Sequence, residues 1–318
     1  MSKKTVVAVT GSNGFIGTAL SKHLERQGFC VKRIVRSAEP QKGVIAVGEI
    51  NALTNWCEAL DGVEYVIHCA GRAHVVWEND IDAITKFRKV NVDGTLQLAK
   101  QAVARGVRRI VFLSSLGVVG DSYDFGNTSA SDKLEVPEWD YAKSKLEAEN
   151  QLKEFSKRHK LELTIVRPPL VYGPGVPGNF RRLLKLVESG LPLPFAALTE
   201  PRSMISLKNL NSFLEECIVN DTAVGETFFV SDGKDLSIYD ISTLIGKAFH
   251  KRPRIFFVPL PLLKYVSKFL GRGKDFERLA NSLSVDIQRT LDLLNWKPHV
   301  SVEDGIQETV NWYIEKKL

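Results

Sequence analysis

Cysteine is scarce in this chain: four residues in 318, at Cys30, Cys57, Cys69 and Cys217, none spaced to form a zinc-binding pair or a redox dithiol. Three of them fall in apolar strand or helix patterns, so buried free thiols and a cytoplasmic protein are expected. Long apolar runs are missing too, and no stretch is long enough to span a bilayer. The run Val6-Val7-Ala8-Val9 behind Lys3-Lys4 is too short for a signal sequence and reads as a first strand. Basic residues exceed acidic ones only modestly, 43 against 37, and no long basic block interrupts the chain. Arg105, Arg108 and Arg109, where a helix gives way to a strand, read as solvated surface. That balance argues against nucleic acid as a partner, and the hydropathy argues against membrane insertion. No metal-ligand spacing, internal repeat or low-complexity linker is present. What remains is an ordinary globular composition, 44% apolar and 25% charged, with length enough for one large α/β domain or two lobes.

The most informative stretch is Thr10-Gly11-Ser12-Asn13-Gly14-Phe15-Ile16-Gly17, which follows the apolar run and opens a helical pattern through Ile16, Leu20 and Leu24. Strand, glycine turn and helix in that order form the setting in which a glycine triplet receives a dinucleotide. Gly11 permits a tight turn, Gly14 admits a pyrophosphate to the backbone, and Gly17 lets the helix close on the strand. Free N–H groups around Asn13, Phe15 and Ile16 then offer partial positive charge to the phosphates. Glycines of an ordinary turn look the same in isolation; the flanking strand and helix give the triplet its weight.

The first half of the chain alternates. Cys30–Val35, Val44–Val47, Tyr65–Cys69, Arg109–Leu113 and Leu161–Val166 read as strands, and 81–105 and 141–160 as helices, the first ended by Gly106. Such alternation predicts an α/β fold, a doubly wound parallel sheet with its ligand at the carboxyl ends of the strands. Prolines and glycines cluster from Pro168 to Pro194; Met204–Val219 then reads as strand and helix, and Thr227–Val230 as one more strand. The expected organisation is a dinucleotide-binding domain over 1–170, to which 203–231 returns, interleaved with a smaller α/β substrate lobe over 171–202 and 232–318. Leu262, Leu263, Val266, Phe269 and Leu270 recur at helical spacing around Lys264 and Lys268. With only two cations on its polar face, this helix is expected to pack on the lobe's core rather than lie on a membrane.

Tyr141-Ala142-Lys143-Ser144-Lys145 puts Tyr141 and Lys145 on one helix face. An ammonium fixed beside a phenol lowers the phenol's pKa, and a tyrosine so tuned moves a proton at a hydroxyl or carbonyl carbon. An exposed Tyr–Lys pair on a surface helix has the same spacing. Ser114-Ser115, at the end of the fifth strand, brings a hydroxyl to the same sheet edge; a turn serine bonded to its own backbone is the plain alternative.

In this combination the chain resembles the extended short-chain dehydrogenase/reductases, the nucleotide-sugar epimerase/dehydratase/reductase family, over nearly its full length. The matching pieces are the Gly11, Gly14, Gly17 loop, His68-Cys69-Ala70-Gly71, Asn91-Val92-Asp93-Gly94-Thr95, Ser114-Ser115, Tyr141 with Lys145, and Arg167 through Pro174. The resemblance implies Ser115, five residues before Gly120, as the catalytic serine, Tyr141 as acid/base, and Lys145 as the residue that binds the nicotinamide ribose. It implies further cofactor contacts at Ala70, Gly71, Asn91 and Pro168, with Glu49-Ile50 bordering the adenine. For the substrate it implies Asn179 at a helix start, and Arg202 and Arg278 on a diphosphate, which guanidinium forks suit; Arg278 suits a surface ion pair equally well. His74, just past the fourth strand, is a sugar contact or a surface-loop histidine. A homodimer through helices 81–105 and 141–160 is implied as well.

An NAD-preferring site carries an acid about 20 residues beyond the glycines. Here the second strand ends Lys32-Arg33-Ile34-Val35-Arg36-Ser37, so NADP(H) is expected, with Arg36 on the 2′-phosphate, and NAD(H) is the alternative. The stretches Gly71–Val75, Pro168–Gly175 and Leu191–Pro194 are similar to the surface-polysaccharide sugar reductases within the family. That similarity implies NADPH reduction of a UDP-2-acetamido-2,6-dideoxy-4-ketohexose at carbon 4. A UDP-hexose or UDP-N-acetylhexosamine 4-epimerase with retained NAD is the alternative, and a non-catalytic cofactor sensor stands behind both. Leu116-Gly117 stand where dehydratases carry acidic residues.

Overall fold

The computed structural model describes residues 4–39, 42–73, 82–119, 137, 139–269, 271, 273, 276 and 283–317. Its strands are β1 (Val6–Thr10), β2 (Cys30–Val35), β3 (Val44–Ala46), β4 (Tyr65–His68), β5 (Arg109–Leu113), β6 (Glu162–Arg167), β7 (Leu170–Tyr172), β8 (Met204–Ser206) and β9 (Thr227–Phe229). Its helices are α1 (Phe15–Arg26), α2 (Ala83–Arg88), α3 (Gly94–Ala104), α4 (Asp140–His159), α5 (Gly178–Glu188), α6 (Leu207–Val219), α7 (Ile238–Ala248), α8 (Leu260–Phe269), α9 (Gln288–Leu294) and α10 (Val302–Glu315).

Seven strands form one sheet in the order β3-β2-β1-β4-β5-β6-β9, every pair parallel. Val7, Ala8 and Val9 have no exposed surface, as a strand covered on both faces requires. The chain leaves β1 for β2 on one side and later returns to β4 on the other, so the order reverses at β1, and the carboxyl end of β1 is where such sheets bind ligands. Leu98, Ala99 and Ala102 of α3 and Ala148 and Leu152 of α4 share a core with Val66, Ile110, Phe112 and Ile165 of the sheet.

The helix expected over 81–105 is α2 and α3 joined by a π turn at Lys89–Asp93. One extra residue in that turn re-aims the side chains inside it, Asn91 among them.

The chain divides into two compact units, one of residues 1–168, 210–230 and 287–297, the other of 169–209, 231–286 and 298–318. Helix α9 belongs with the first unit, although its sequence position suggested the substrate lobe. Thr290 donates to the Phe229 carbonyl at 2.8 Å, and the nearby Trp296 meets Phe213 edge-on at 4.9 Å. In the second unit β7 and β8 pair in parallel, and Asp232 ties them together. Its carboxylate accepts from the Tyr172 hydroxyl (2.7 Å), the Ser206 N–H (2.9 Å) and the Asn209 amide (2.7 Å).

Three expectations are corrected. Arg109 is fully buried, its guanidinium donating to Glu162, Asp221 and the carbonyls of Cys217 and Asn220. Of the thiols only Cys217 is buried; Cys57 and Cys69 are half-buried and Cys30 is exposed. Helix α8 buries none of its residues, so it is not packed on a core. Among the described residues no helix is long and apolar enough to cross a membrane.

Candidate active site

The glycine loop leaves β1 and enters α1. Gly11 has φ +66°, and a Cβ there would meet Ala70 Cα at 2.9 Å. At Gly17 a Cβ would lie 2.2 Å from the Gly11 carbonyl oxygen, so neither position admits a side chain. Gly14, extended, starts α1, and neither a capping side chain nor an acidic residue occupies its first turn. The N–H groups of Phe15, Ile16 and Gly17 thus open onto a backbone cradle suited to a pyrophosphate. The main-chain and side-chain groups of Ser12 both donate to the Ile34 carbonyl (3.2 and 3.3 Å), which ties this loop to the end of β2. Arg36, two residues on, is exposed there, and no carboxylate replaces it on that strand end. Ile50 is buried against Gly94, and Glu49 is exposed, 3.3 Å from Lys89.

Beneath the loop lies a network that the sequence reading did not single out. The Ala70 N–H donates to Thr10 Oγ1 (3.1 Å), and the Thr10 hydroxyl shares a hydrogen bond with His68 Nδ1 (2.7 Å). His68 Nε2 is hydrogen-bonded to Thr95 Oγ1 (3.0 Å) on the other side of the ring. Burial pulls the imidazole down to about 3, helped by the charge of Lys145, so His68 is neutral. In the sequence Thr10, His68 and Thr95 lie in three separate motif stretches, and nothing there joins them.

Tyr141 and Lys145 lie on α4, whose next turn carries Glu149. Glu149 makes a fully buried fork with Arg167 of β6, 3.0 Å from Nε and 2.5 Å from Nη2, which pins the helix to the sheet. Lys145 is buried, donates to the Leu113 carbonyl at 2.8 Å and stands 4.4 Å over the Phe112 ring. Burial lowers its pKa to about 8, while Cys69 and Glu149 act in the opposite direction. Its ammonium faces Gly71, where an added Cβ would lie 3.5 Å from Nζ and 3.2 Å from Asn91 Oδ1. Asn91 is itself held on both ends of its amide. It accepts from the Arg72 N–H (2.8 Å) and donates to the Arg72 carbonyl (3.2 Å) and Ser144 Oγ (3.0 Å).

The expected lowering of the phenol is corrected. Burial pushes Tyr141 up to about 12, and the one opposing influence is its hydrogen bond with Ser115, not Lys145. Lys145 is engaged by Leu113 instead. Ser115 Oγ accepts from the Gly117 N–H at 3.1 Å, which leaves its own hydrogen for the phenol oxygen. Ser114 is buried, and its hydroxyl has no hydrogen-bond partner among the described residues. The glycine cradle and this spare hydroxyl fit a bound dinucleotide.

In the second unit, Asn179 is exposed on the first turn of α5, accepting from Arg182 at 3.3 Å. Arg202 exchanges backbone hydrogen bonds with Leu236 (3.1 and 3.0 Å), and burial lowers its pKa. His74 and Arg278 lie outside the described residues, as does Gly120. Pro168 follows β6 and accepts at 2.8 Å from the Leu116 N–H. Among the described residues no group of His, Cys, Asp and Glu is placed to hold a metal.

Residues 7–199 match the model of the NAD dependent epimerase/dehydratase family. A protein of Vibrio cholerae named UDP-glucose 4-epimerase is 38% identical over 313 residues, 97% of this chain and 95% of its own. Two solved structures share the fold. The UDP-glucuronic acid 4-epimerase of Bacillus cereus in complex with NAD has a TM-score of 0.79 at 20% identity, covering 99% of this chain and 100% of that one. The UDP-glucose 4-epimerase of Thermotoga maritima with UDP-glucose has a TM-score of 0.78 at 19% identity, over 99% and 100%.

Proposed function

Because the chain belongs to the NAD-dependent epimerase/dehydratase family and is an enzyme, we propose that it uses NADPH to reduce carbon 4 of a UDP-linked sugar. The substrate class is a UDP-2-acetamido-2,6-dideoxy-4-ketohexose of surface-polysaccharide synthesis. The observation that carries the reading is the end of β2, where exposed Arg36 stands beside the glycine loop in the place of an acid. A guanidinium there complements a 2′-phosphate, whereas a carboxylate would repel it.

A reduced nicotinamide, when bound in the first unit, would supply the hydride that carbon 4 receives. Gly11, Gly14 and the first turn of α1 would hold its pyrophosphate, Ala70, Gly71, Asn91 and Pro168 would border it, and Lys145 would hold its ribose. Tyr141 gives the proton to the sugar oxygen. A protonated phenol is the state that reduction needs, because the sugar oxygen gains a proton as carbon 4 gains hydride. Ser115, already bonded to that phenol, directs the same oxygen. Asn179, Arg202 and Arg278 are assigned to the nucleotide diphosphate and His74 to the sugar.

The second reading, a UDP-hexose or UDP-N-acetylhexosamine 4-epimerase with retained NAD, is favoured by the name of the 38% identical relative. Incubation with UDP-4-keto-6-deoxy-N-acetylglucosamine and stoichiometric NADPH separates the two. Product with matching loss of reduced-nicotinamide absorbance supports the reductase, and product without net loss sinks it. Titration with NADPH and NADH tests the cofactor: Arg36→Glu should reverse a preference for NADPH, and equal affinities in the wild type defeat the assignment. A homodimer through α2, α3 and α4 is part of the proposal and is read by light scattering.

A further inference from the structure

Between Lys251 and Lys274 the chain has seven Lys and Arg and no Asp or Glu, while the other 294 residues hold 36 basic and 37 acidic. The positive excess of the whole protein is therefore confined to 24 residues. Counting it across the chain, or only within the helix, hides this asymmetry.

The same stretch exposes apolar surface. Of the sixteen large hydrophobic side chains exposed among the described residues, seven lie between Phe256 and Phe269. Phe257 is 68% exposed, Tyr265 72% and Phe269 84%. In α8 the positions 262, 265, 266 and 269 form one stripe, and Lys264 and Lys268 lie on the other side of the helix. Folded proteins seldom display an apolar patch of this kind unless something covers it.

Its chemistry selects the cover. A second copy of the chain would bring the same positive charge against itself, which disfavours self-association through this face. A polyanion such as nucleic acid would meet the cations but leave the aliphatic and aromatic stripe in water. An anionic bilayer satisfies both, with acyl chains and the interfacial zone receiving Phe and Tyr, and headgroups receiving Lys and Arg. Ten residues of helix are too few to span, so the segment lies in the surface plane.

We propose that α8, with Phe256-Phe257 and the basic residues Arg252, Arg254, Lys264 and Lys268 around it, is an interfacial anchor that docks the enzyme on anionic lipid membranes.

The test is flotation of the full chain with vesicles of phosphatidylcholine alone or mixed equally with phosphatidylglycerol, at low and high salt. Expected is binding at least about tenfold stronger to the anionic vesicles and weakened by salt. Lys264→Glu/Lys268→Glu should remove the preference for phosphatidylglycerol, and Phe257→Ser/Phe269→Ser should reduce binding to both vesicles. Cofactor binding and turnover of a water-soluble substrate should be unchanged in both variants, because these residues lie outside the catalytic set. Three results would overturn the proposal: no binding to anionic vesicles, binding that both variants retain, or a lipid-free loss of oligomers in Phe257→Ser/Phe269→Ser, which assigns the patch to a second copy.

Discussion

At Tyr141, loss of one oxygen atom separates proton transfer from binding. Tyr141→Phe removes the group that serves the sugar oxygen and leaves the ring edge-on to Phe87. Turnover should fall about 100- to 10,000-fold, with NADPH affinity held within a factor of two or so. Steady-state kinetics and a fluorescence titration read the two quantities. His68 gives a pH prediction of defined sign. Its folded pKa of about 3 lies below the unfolded value of about 6.5, so the unfolded chain binds more protons between those limits. The contribution of neutral His68 is therefore complete above about pH 6.5 and is lost as pH falls toward 3. His68→Gln has no such limb. The stability gap between wild type and variant should narrow by about 2–3 kcal/mol from pH 7 to pH 4.5, measured by denaturant unfolding at both. A gap independent of pH would show that His68 is accessible to protons in the folded state. The glycine loop and the Tyr141–Lys145 pair were legible in the sequence because the contacts they need are local. The environment of Arg109 was not, since its partners lie at Glu162, Cys217, Asn220 and Asp221, far along the chain.

Among the elements, α4 has the most demanding task, because Tyr141, Lys145 and Glu149 descend one face. The Arg167–Glu149 fork is wholly buried, so removing one partner strands a charge in the core. Glu149→Gln should cost about 3–5 kcal/mol of stability, and Glu149→Leu combined with Arg167→Met should recover much of that loss while leaving turnover impaired. Thermal unfolding with kinetics on both proteins checks the pair; full recovery of turnover in the double variant would mean that the fork does not position Tyr141. Strand and helix limits followed closely from periodicity. The π turn did not: a helical pattern continues through Lys89–Asp93, and the extra residue is set by packing, with Gly94 closing on Ile50 and Asn91 bonding Arg72 and Ser144. Helix α8 escaped for the opposite reason. Its apolar spacing is that of a buried helix, and exposure is not written in spacing.

For the molecule as a whole, the distribution of candidate residues makes its own prediction. Gly11, Arg36, Asn91, Ser115, Tyr141 and Lys145 all fall in the first compact unit, and Asn179 and Arg202 in the second. A ligand that binds the native state alone slows amide exchange most where its contacts suppress local opening. NADP⁺ alone should therefore protect the amides of 11–17, 68–72 and 113–117. UDP alone should protect those of 178–182 and 202–205, and the two patterns should add when both ligands are present. Hydrogen exchange read by mass spectrometry at saturating ligand gives this map peptide by peptide. UDP protection confined to the first unit would remove Asn179 and Arg202 from the substrate site and leave the cofactor assignment standing. NADP⁺ protection that bypasses 11–17 would remove the cradle on which the hydride chemistry rests. The two outcomes strike different halves of the proposal, so one experiment tests them separately.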